Sequence, residues 1–275
     1  MIETMYRYLA RPSFTADVVK KIVQKGQLGS YLSRVRLHAI ERPAYAHCVY
    51  QAALLARKLG LSEISVIEFG VAGGAGLLAL ERHAEKIGAA LELKIYVYGF
   101  DTGSGLPAPV DYRDIPYHWQ QGFYSMDEER LQSKLQHAEL ILGNVAETVE
   151  DFCAREKVAP VGAIMFDLDF YSSTVDAFKV FNLEDENILP RVHCYFDDII
   201  GDEQELYCQF TGERLAIAEF NRQNTKSKIA EVHYLRARRV QEYWYDAIRV
   251  VHNFSHNRYS QFVGNDNQQL SIEHR

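Results

Sequence analysis

Four aspartates carry the strongest chemical signal in the chain. Asp167 and Asp169 stand two residues apart in Phe166-Asp-Leu-Asp-Phe170, and Asp197-Asp198 follow the apolar run Val192-His-Cys-Tyr-Phe196. Residues i and i+2 of an extended chain share a face, so Asp167 and Asp169 point the same way if the strand continues through them. Two such strands side by side bring four carboxylates to one edge. Their mutual repulsion is relieved either by protonation at raised pKa or by a cation among them. Oxygen-only ligation suits magnesium, calcium or manganese rather than zinc. A cation there would orient a hydroxyl and lower its pKa, while a remaining carboxylate removes the proton. The competing role is capping: Asp198 falls in a turn, and Ser172, Ser173 and Thr174 serve equally well as caps. For the two pairs taken together, chemistry is the favoured reading.

A second constellation lies upstream, in Glu68-Phe-Gly70-Val-Ala-Gly73-Gly74-Ala-Gly76. Glycines let a backbone turn sharply and approach a ligand closely, and a helix N-terminus behind the turn favours negative charge. Ala72 stands where a nicotinamide-binding G-x-G-x-x-G would place its second glycine. Glu68, just before the turn, is an acid able to accept from a cofactor's amino group. Asp101 closes the next apolar run, where an acid commonly accepts from ribose hydroxyls; the alternative is a cap on its own loop, Thr102-Gly-Ser-Gly-Leu-Pro107.

These residues need a scaffold that collects strand ends. Apolar strands are expected at 65–71, 93–101, 138–144, 161–167 and 192–198, separated by helical stretches at 77–85, 127–137 and 148–156. Near-continuous apolar strands alternating with helices predict a parallel sheet covered on both faces. Before it, Val49, Ala52, Ala53, Ala56 and Leu59 recur at helical spacing between Pro43 and Gly60, and the first forty residues read as amphipathic helix. After it, Ile229–Leu235, Ile248–Phe254 and Tyr259–Val263 read as strands, with Asn253–Asn257 as a hairpin connection. The fold expected is α/β: a doubly wound, mostly parallel, Rossmann-like sheet with N-terminal helices and a C-terminal antiparallel strand pair. The expected organisation is a helical segment over 1–60, a cofactor-binding domain over 61–264 and a polar tail over 265–275.

Composition narrows the function classes. The 275 residues hold 30 Lys and Arg against 37 Asp and Glu, a net charge of −7 that argues against a nucleic-acid partner. The most basic stretch, His233 to Arg239, reads as the solvated part of a strand or turn. Four scattered cysteines form no C-x-x-C pair, so neither a disulfide scaffold nor a zinc site is expected. No signal-peptide pattern and no membrane-length apolar run occur, and a cytoplasmic protein without a membrane partner is expected.

Four segments in order, Val66-Ile-Glu-Phe-Gly-Val-Ala-Gly-Gly74, Val97-Tyr-Gly-Phe-Asp-Thr-Gly-Ser-Gly-Leu-Pro107, Phe166-Asp-Leu-Asp-Phe-Tyr-Ser-Ser-Thr174 and Tyr195-Phe-Asp-Asp198, together resemble the macrocin O-methyltransferase family. The similarity covers roughly residues 40 to 200. It implies a class I methyltransferase fold, S-adenosylmethionine as methyl donor, Mg2+ or a similar divalent cation, and a small-molecule hydroxyl acceptor. By matching position it implies Asp167, Asp197 and Asp198 as metal ligands and Asp169 as general base. Glu68, Gly70 and Asp101 would contact the cofactor, with Gly74 and Asn144 at the same edge. It also implies a homo-oligomer whose N-terminal helices act as lid and contact. Leu168 stands where the family commonly has glycine, and Val71-Ala72 where it often has bulkier residues. A nicotinamide-dependent oxidoreductase and a cofactor-binding protein without catalysis are the competing classes. The aromatic stretch Tyr112 to Tyr124 suits either an acceptor pocket or an ordered surface loop, and His118 within it is the alternative base.

Overall fold

The computed structural model describes residues 14–238 and 240–265. Strands form where the chain is apolar on both faces. β1 (Glu63–Phe69) is buried at every position after Glu63, and β4 (Val161–Phe166) is buried throughout. With β2 (Lys94–Asp101), β3 (Glu139–Leu142), β5 (Ile188–Phe196), β6 (Ser227–Glu231) and β7 (Ile248–Asn253) they make one sheet in the order β3-β2-β1-β4-β5-β7-β6. β1 to β5 pair in parallel, whereas β7 runs antiparallel to both β5 and β6. The chain steps outward from β1 through β2 to β3, then crosses back to lay β4 on the other side of β1. That reversal opens a crevice at the carboxyl ends of β1 and β4, the place where open α/β sheets bind ligands.

The helices are α1 (Phe14–Lys25), α2 (Tyr31–Arg36), α3 (Pro43–Lys58), α4 (Ala75–Leu91), α5 (Glu128–Gln132), α6 (Val145–Cys153), α7 (Tyr171–Ala177), α8 (Gly212–Gln223) and α9 (His233–Arg236). α3 starts on Pro43, whose missing amide hydrogen costs nothing in a first turn. Its face of Tyr45, Val49, Ala52, Ala53 and Ala56 is buried and packs on β4 and β5. The helix expected with the N-terminal segment is thus a cover of the sheet, and the α/β packing takes in residues from 43 onward.

The C-terminal quarter departs from the expectation. β6 ends at Glu231, and the basic run that follows is helical as α9, anchored by buried Leu235. Within it Arg236 meets Glu231 at 2.6 Å and Asp246 at 2.7 Å, and Arg238 Nη1 lies 3.1 Å from His38 Nε2. Arg239 lies outside the described residues, as does the polar tail from 266 onward. Residues 259–263 form turns rather than a strand, so Asn253–Asn257 does not join a hairpin. The segment instead folds back on the sheet: the His256 Nε2–H donates to the carbonyls of Asp185 and Ile188, at 2.9 and 3.0 Å. The antiparallel pair is β6 with β7, joined through α9. α8 has no counterpart in the sequence reading. Among the described residues, no helix is long and apolar enough to cross a membrane.

Aromatic rings stack across the sheet directly beneath the crevice. The Phe166 ring stacks on Phe196 with centroids 4.6 Å apart and an angle of 7°, and on Phe69 at 5.5 Å and 21°. Phe69, Phe166 and Phe196 are the last residues of β1, β4 and β5, so one aromatic stack aligns the three strand ends. Phe166→Ala should therefore lower stability by about 3–5 kcal/mol, read as a shifted urea midpoint, because the neighbouring rings cannot close the cavity.

Candidate active site

A cavity of about 330 Å³ occupies the crevice. Gly70, Asp101, Asn144, Asp167, Asp169, Asp197 and Asp198 all line it, drawn from the ends of β1 to β5 and the loops after them.

On the cofactor side the backbone sets the shape. Gly70 has φ +86°, and a Cβ there would stand 1.7 Å from the Asp167 carbonyl oxygen. Only a residue without a side chain lets the turn after β1 lie on the end of β4. Asp101 realises the capping alternative while facing the cavity. Its Oδ2 accepts from the amides of Val71 and Ala72 at 2.9 and 2.8 Å, and its Oδ1 from Gly103 at 2.7 Å. It therefore ties the turn after β1 to the loop after β2. Asn144 caps α6, its Oδ1 accepting from the Ala146 amide at 2.9 Å.

Two of the cofactor contacts inferred from the sequence fall elsewhere. Gly74 does not line the cavity; a Cβ on it would meet Leu131 Cδ1 at 2.3 Å, so it makes room for α5. Glu68 lies beneath the turn, 1% exposed, because the strand's alternation aims it toward α3 and α4. Its Oε1 accepts from the Tyr45 hydroxyl at 2.7 Å, and the absence of a side chain on Gly76 leaves the space its carboxylate fills. Burial, with the charges of Asp101 and Asp197, pushes the Glu68 carboxyl up to about 8.

On the other side the four aspartates converge as expected, by a different route. The strand ends at Phe166, and Asp169 has φ +59°, so Asp167 and Asp169 do not share a face through extended geometry. The loop is held in that conformation by Asp198, whose Oδ2 accepts from the Asp169 amide at 2.7 Å. Asp198 Oδ1 accepts from the Tyr207 hydroxyl at 3.1 Å, and Tyr195 donates to Asp197 Oδ1. Asp167, Asp197 and Asp198 each present a carboxylate oxygen, all within 4.8 Å of one another. Burial raises every strongly perturbed acid here, and the neighbouring carboxylates add to it. Asp169 is pushed up to about 9 and Asp198 to about 7, while Asp167 and Glu213 lie well above the usual range.

Of the aromatic stretch, Trp119 and Tyr124 line the cavity, whereas Tyr112 and Tyr117 are exposed. His118 does not line it; its Nε2 faces the cavity-lining Glu205 Oε1 at 4.0 Å. Tyr45, Tyr195, Tyr207 and Glu213 were missed in the sequence. Tyr195 was readable, since it stands two residues before Asp197 on a strand; Tyr207 and Glu213 follow in the next loop and helix, and Tyr45 lies on a helix that precedes the sheet.

The fold is that of the class I methyltransferases, Rossmann-like with a C-terminal antiparallel pair. The O-methyltransferase NovP aligns with it at a TM-score of 0.51 and 12% identity, over 88% of this chain and 98% of that one. The calicheamicin methyltransferase CalS11 aligns at a TM-score of 0.46 and 19% identity, over 77% and 85% of the two chains. TomG from Streptomyces achromogenes, an O-methyltransferase of tomaymycin synthesis, aligns at 0.39 and 13%, over 75% and 89%. No protein-family model matches the chain, and no curated protein matches its sequence.

Glu68 makes stability pH-dependent. Its folded-state pKa of about 8 exceeds the ordinary 4.5, so between these values the folded chain holds a proton that the unfolded chain has released. Stability from this group is full below about 4.5 and falls by on the order of 1 kcal/mol per pH unit as pH rises toward 8. Glu68→Gln keeps an acceptor for Tyr45 without the charge. Urea denaturation should find it close to the parent at pH 5 and more stable than the parent at pH 8.

Proposed function

We propose that the protein transfers a methyl group from S-adenosylmethionine to a hydroxyl of a small molecule, with a divalent cation such as Mg2+ at Asp167, Asp197 and Asp198. The observation that carries this reading is one cavity bounded on one side by a glycine turn tied to Asp101 and on the other by three carboxylates within 4.8 Å. The donor set fits the cation: it is all carboxylate oxygen, without sulfur or imidazole, and the crowding of acids favours a positive charge among them. When bound, the cation supplies charge that acidifies a hydroxyl oxygen, and the cofactor supplies an electrophilic methyl group.

The chain's own residues supply the remainder. Gly70, Asp101 and Asn144 bind the cofactor: the bare backbone admits it closely, and Asp101 holds the loop that shapes the pocket. Asp169 would take the proton of the acceptor hydroxyl, and S-adenosylmethionine, when bound, would supply the methyl group and leave as S-adenosylhomocysteine. The Asp198 contact fixes the backbone Asp169 hangs from. Trp119 and Tyr124 offer aromatic faces to an acceptor, which suits a sugar ring or a planar phenol. In the same reading α1 contributes to a lid or to a contact between copies, since it leaves Val18, Val19 and Ile22 exposed by 41, 57 and 57%.

Titration calorimetry tests the reading. S-adenosylhomocysteine should bind and NAD should not. Asp101→Ala should weaken binding by about 1–3 kcal/mol, as three amides lose their acceptor. Binding of NAD without S-adenosylhomocysteine would favour an oxidoreductase; binding of S-adenosylhomocysteine with no methyl transfer to any hydroxyl would leave a binding protein.

The cation is tested separately. Asp197→Asn should weaken Mn2+ uptake, while Asp169→Asn should spare it and slow turnover. Methyl transfer that is indifferent to chelation would refute the cation's role.

A further inference from the structure

The turn carrying Asp197 and Asp198 is weakly determined by its own backbone. It is a single 3-10 turn, Asp197–Ile199, in which Asp198 departs from helical geometry at φ −92° and ψ 23°. Two successive residues in the first turn of α8 grip it. Glu213 is 0% exposed, and its Oε2 accepts from the Asp198 amide at 3.1 Å. Arg214 Nε donates to the Ile199 carbonyl at 2.6 Å. One residue thus takes a hydrogen from the turn and the next gives one, which fixes both its position and its orientation. Gly212 places the same helix end against the loop of Asp169, whose carbonyl lies 3.7 Å from the glycine's missing Cβ.

The Glu213 carboxyl is buried beside those of Asp167, Asp197 and Asp198. Glu213 also keeps its Oε1 buried and without a partner, a costly arrangement unless the site uses it. Second-layer partners of this kind govern how well ligands present themselves to a metal. We propose that Glu213 is a positioning residue for the cation site: through the Asp198 amide it sets the direction in which Asp197 and Asp198 offer their carboxylates. The inference rests on the reading of Asp167, Asp197 and Asp198 as ligands.

The test uses the full chain and two readouts. One is Mn2+ affinity, followed by loss of the free-ion electron paramagnetic resonance signal. The other is hydrogen–deuterium exchange of the peptide spanning Asp197–Ile199. Glu213→Ala should weaken Mn2+ binding by about tenfold or more and speed exchange in that peptide, with S-adenosylhomocysteine affinity unchanged. Glu213→Gln, whose amide oxygen can accept from Asp198, should restore both. Glu213→Asp, which keeps the carboxyl on a shorter arm, should resemble the alanine variant and stands in for it should that variant fail to fold. Parental Mn2+ affinity and parental exchange in the alanine or aspartate variant overturn the proposal. If the parent protein itself takes up no Mn2+, the cation reading fails, and the exchange measurement alone decides whether Glu213 holds the turn.

Discussion

Crowded carboxylates are the constraint around which this structure is arranged. Glu68, Asp167, Asp169, Asp198 and Glu213 are withdrawn from solvent to differing degrees, with Asp197 beside them, and burial raises the pKa of each of the five. A low-dielectric setting makes charge repulsion expensive, so each acid must be protonated, hydrogen-bonded or matched by a cation. The hydrogen bonds are already assigned to particular donors. Tyr45, Tyr195 and Tyr207 each give a hydroxyl to one acid, the amide of Asp169 gives Asp198 a second hydrogen bond, and the amide of Asp198 serves Glu213.

These hydrogen-bonding partners come from helices, sheet and loop alike. Tyr45 belongs to α3, Tyr195 to β5, Tyr207 to the loop before α8, and Glu213 to α8 itself. The elements outside the glycine turn are thereby committed to the same edge. Asp198 is the most heavily engaged, with both carboxylate oxygens and its amide each holding a different segment. Its place among the candidate ligands therefore depends on three contacts, to Asp169 in the loop after β4, to Glu213 in α8 and to Tyr207 in the loop between.

Much of the central sheet was legible because its strands are apolar on both faces and end in acids or glycine. Val66-Ile-Glu-Phe-Gly and Ile164-Met-Phe-Asp could hardly be anything but buried strands reaching an edge. The side on which an acid falls was less legible: Glu68 was placed against the cofactor, whereas one step of strand alternation turns it to Tyr45. The C-terminal quarter misled for a different reason. Tyr259-Ser-Gln-Phe-Val263 has strand-forming residues, but its partners are a histidine side chain and a packed ring rather than a ladder: Tyr259 meets His252 Nδ1 at 2.9 Å and Phe254 at 5.1 Å between centroids. Glu213 was invisible, since an acid in the first turn of a helix ordinarily reads as a solvated partner of the helix dipole.

The contact between Gly70 and the Asp167 carbonyl has a mechanical consequence. Because backbone meets backbone there, the turn after β1 and the loop after β4 form a single joint, without side-chain rotamers in between to absorb error. The spacing at that side of the cleft is accordingly dictated by peptide geometry rather than by the rotamers of side chains.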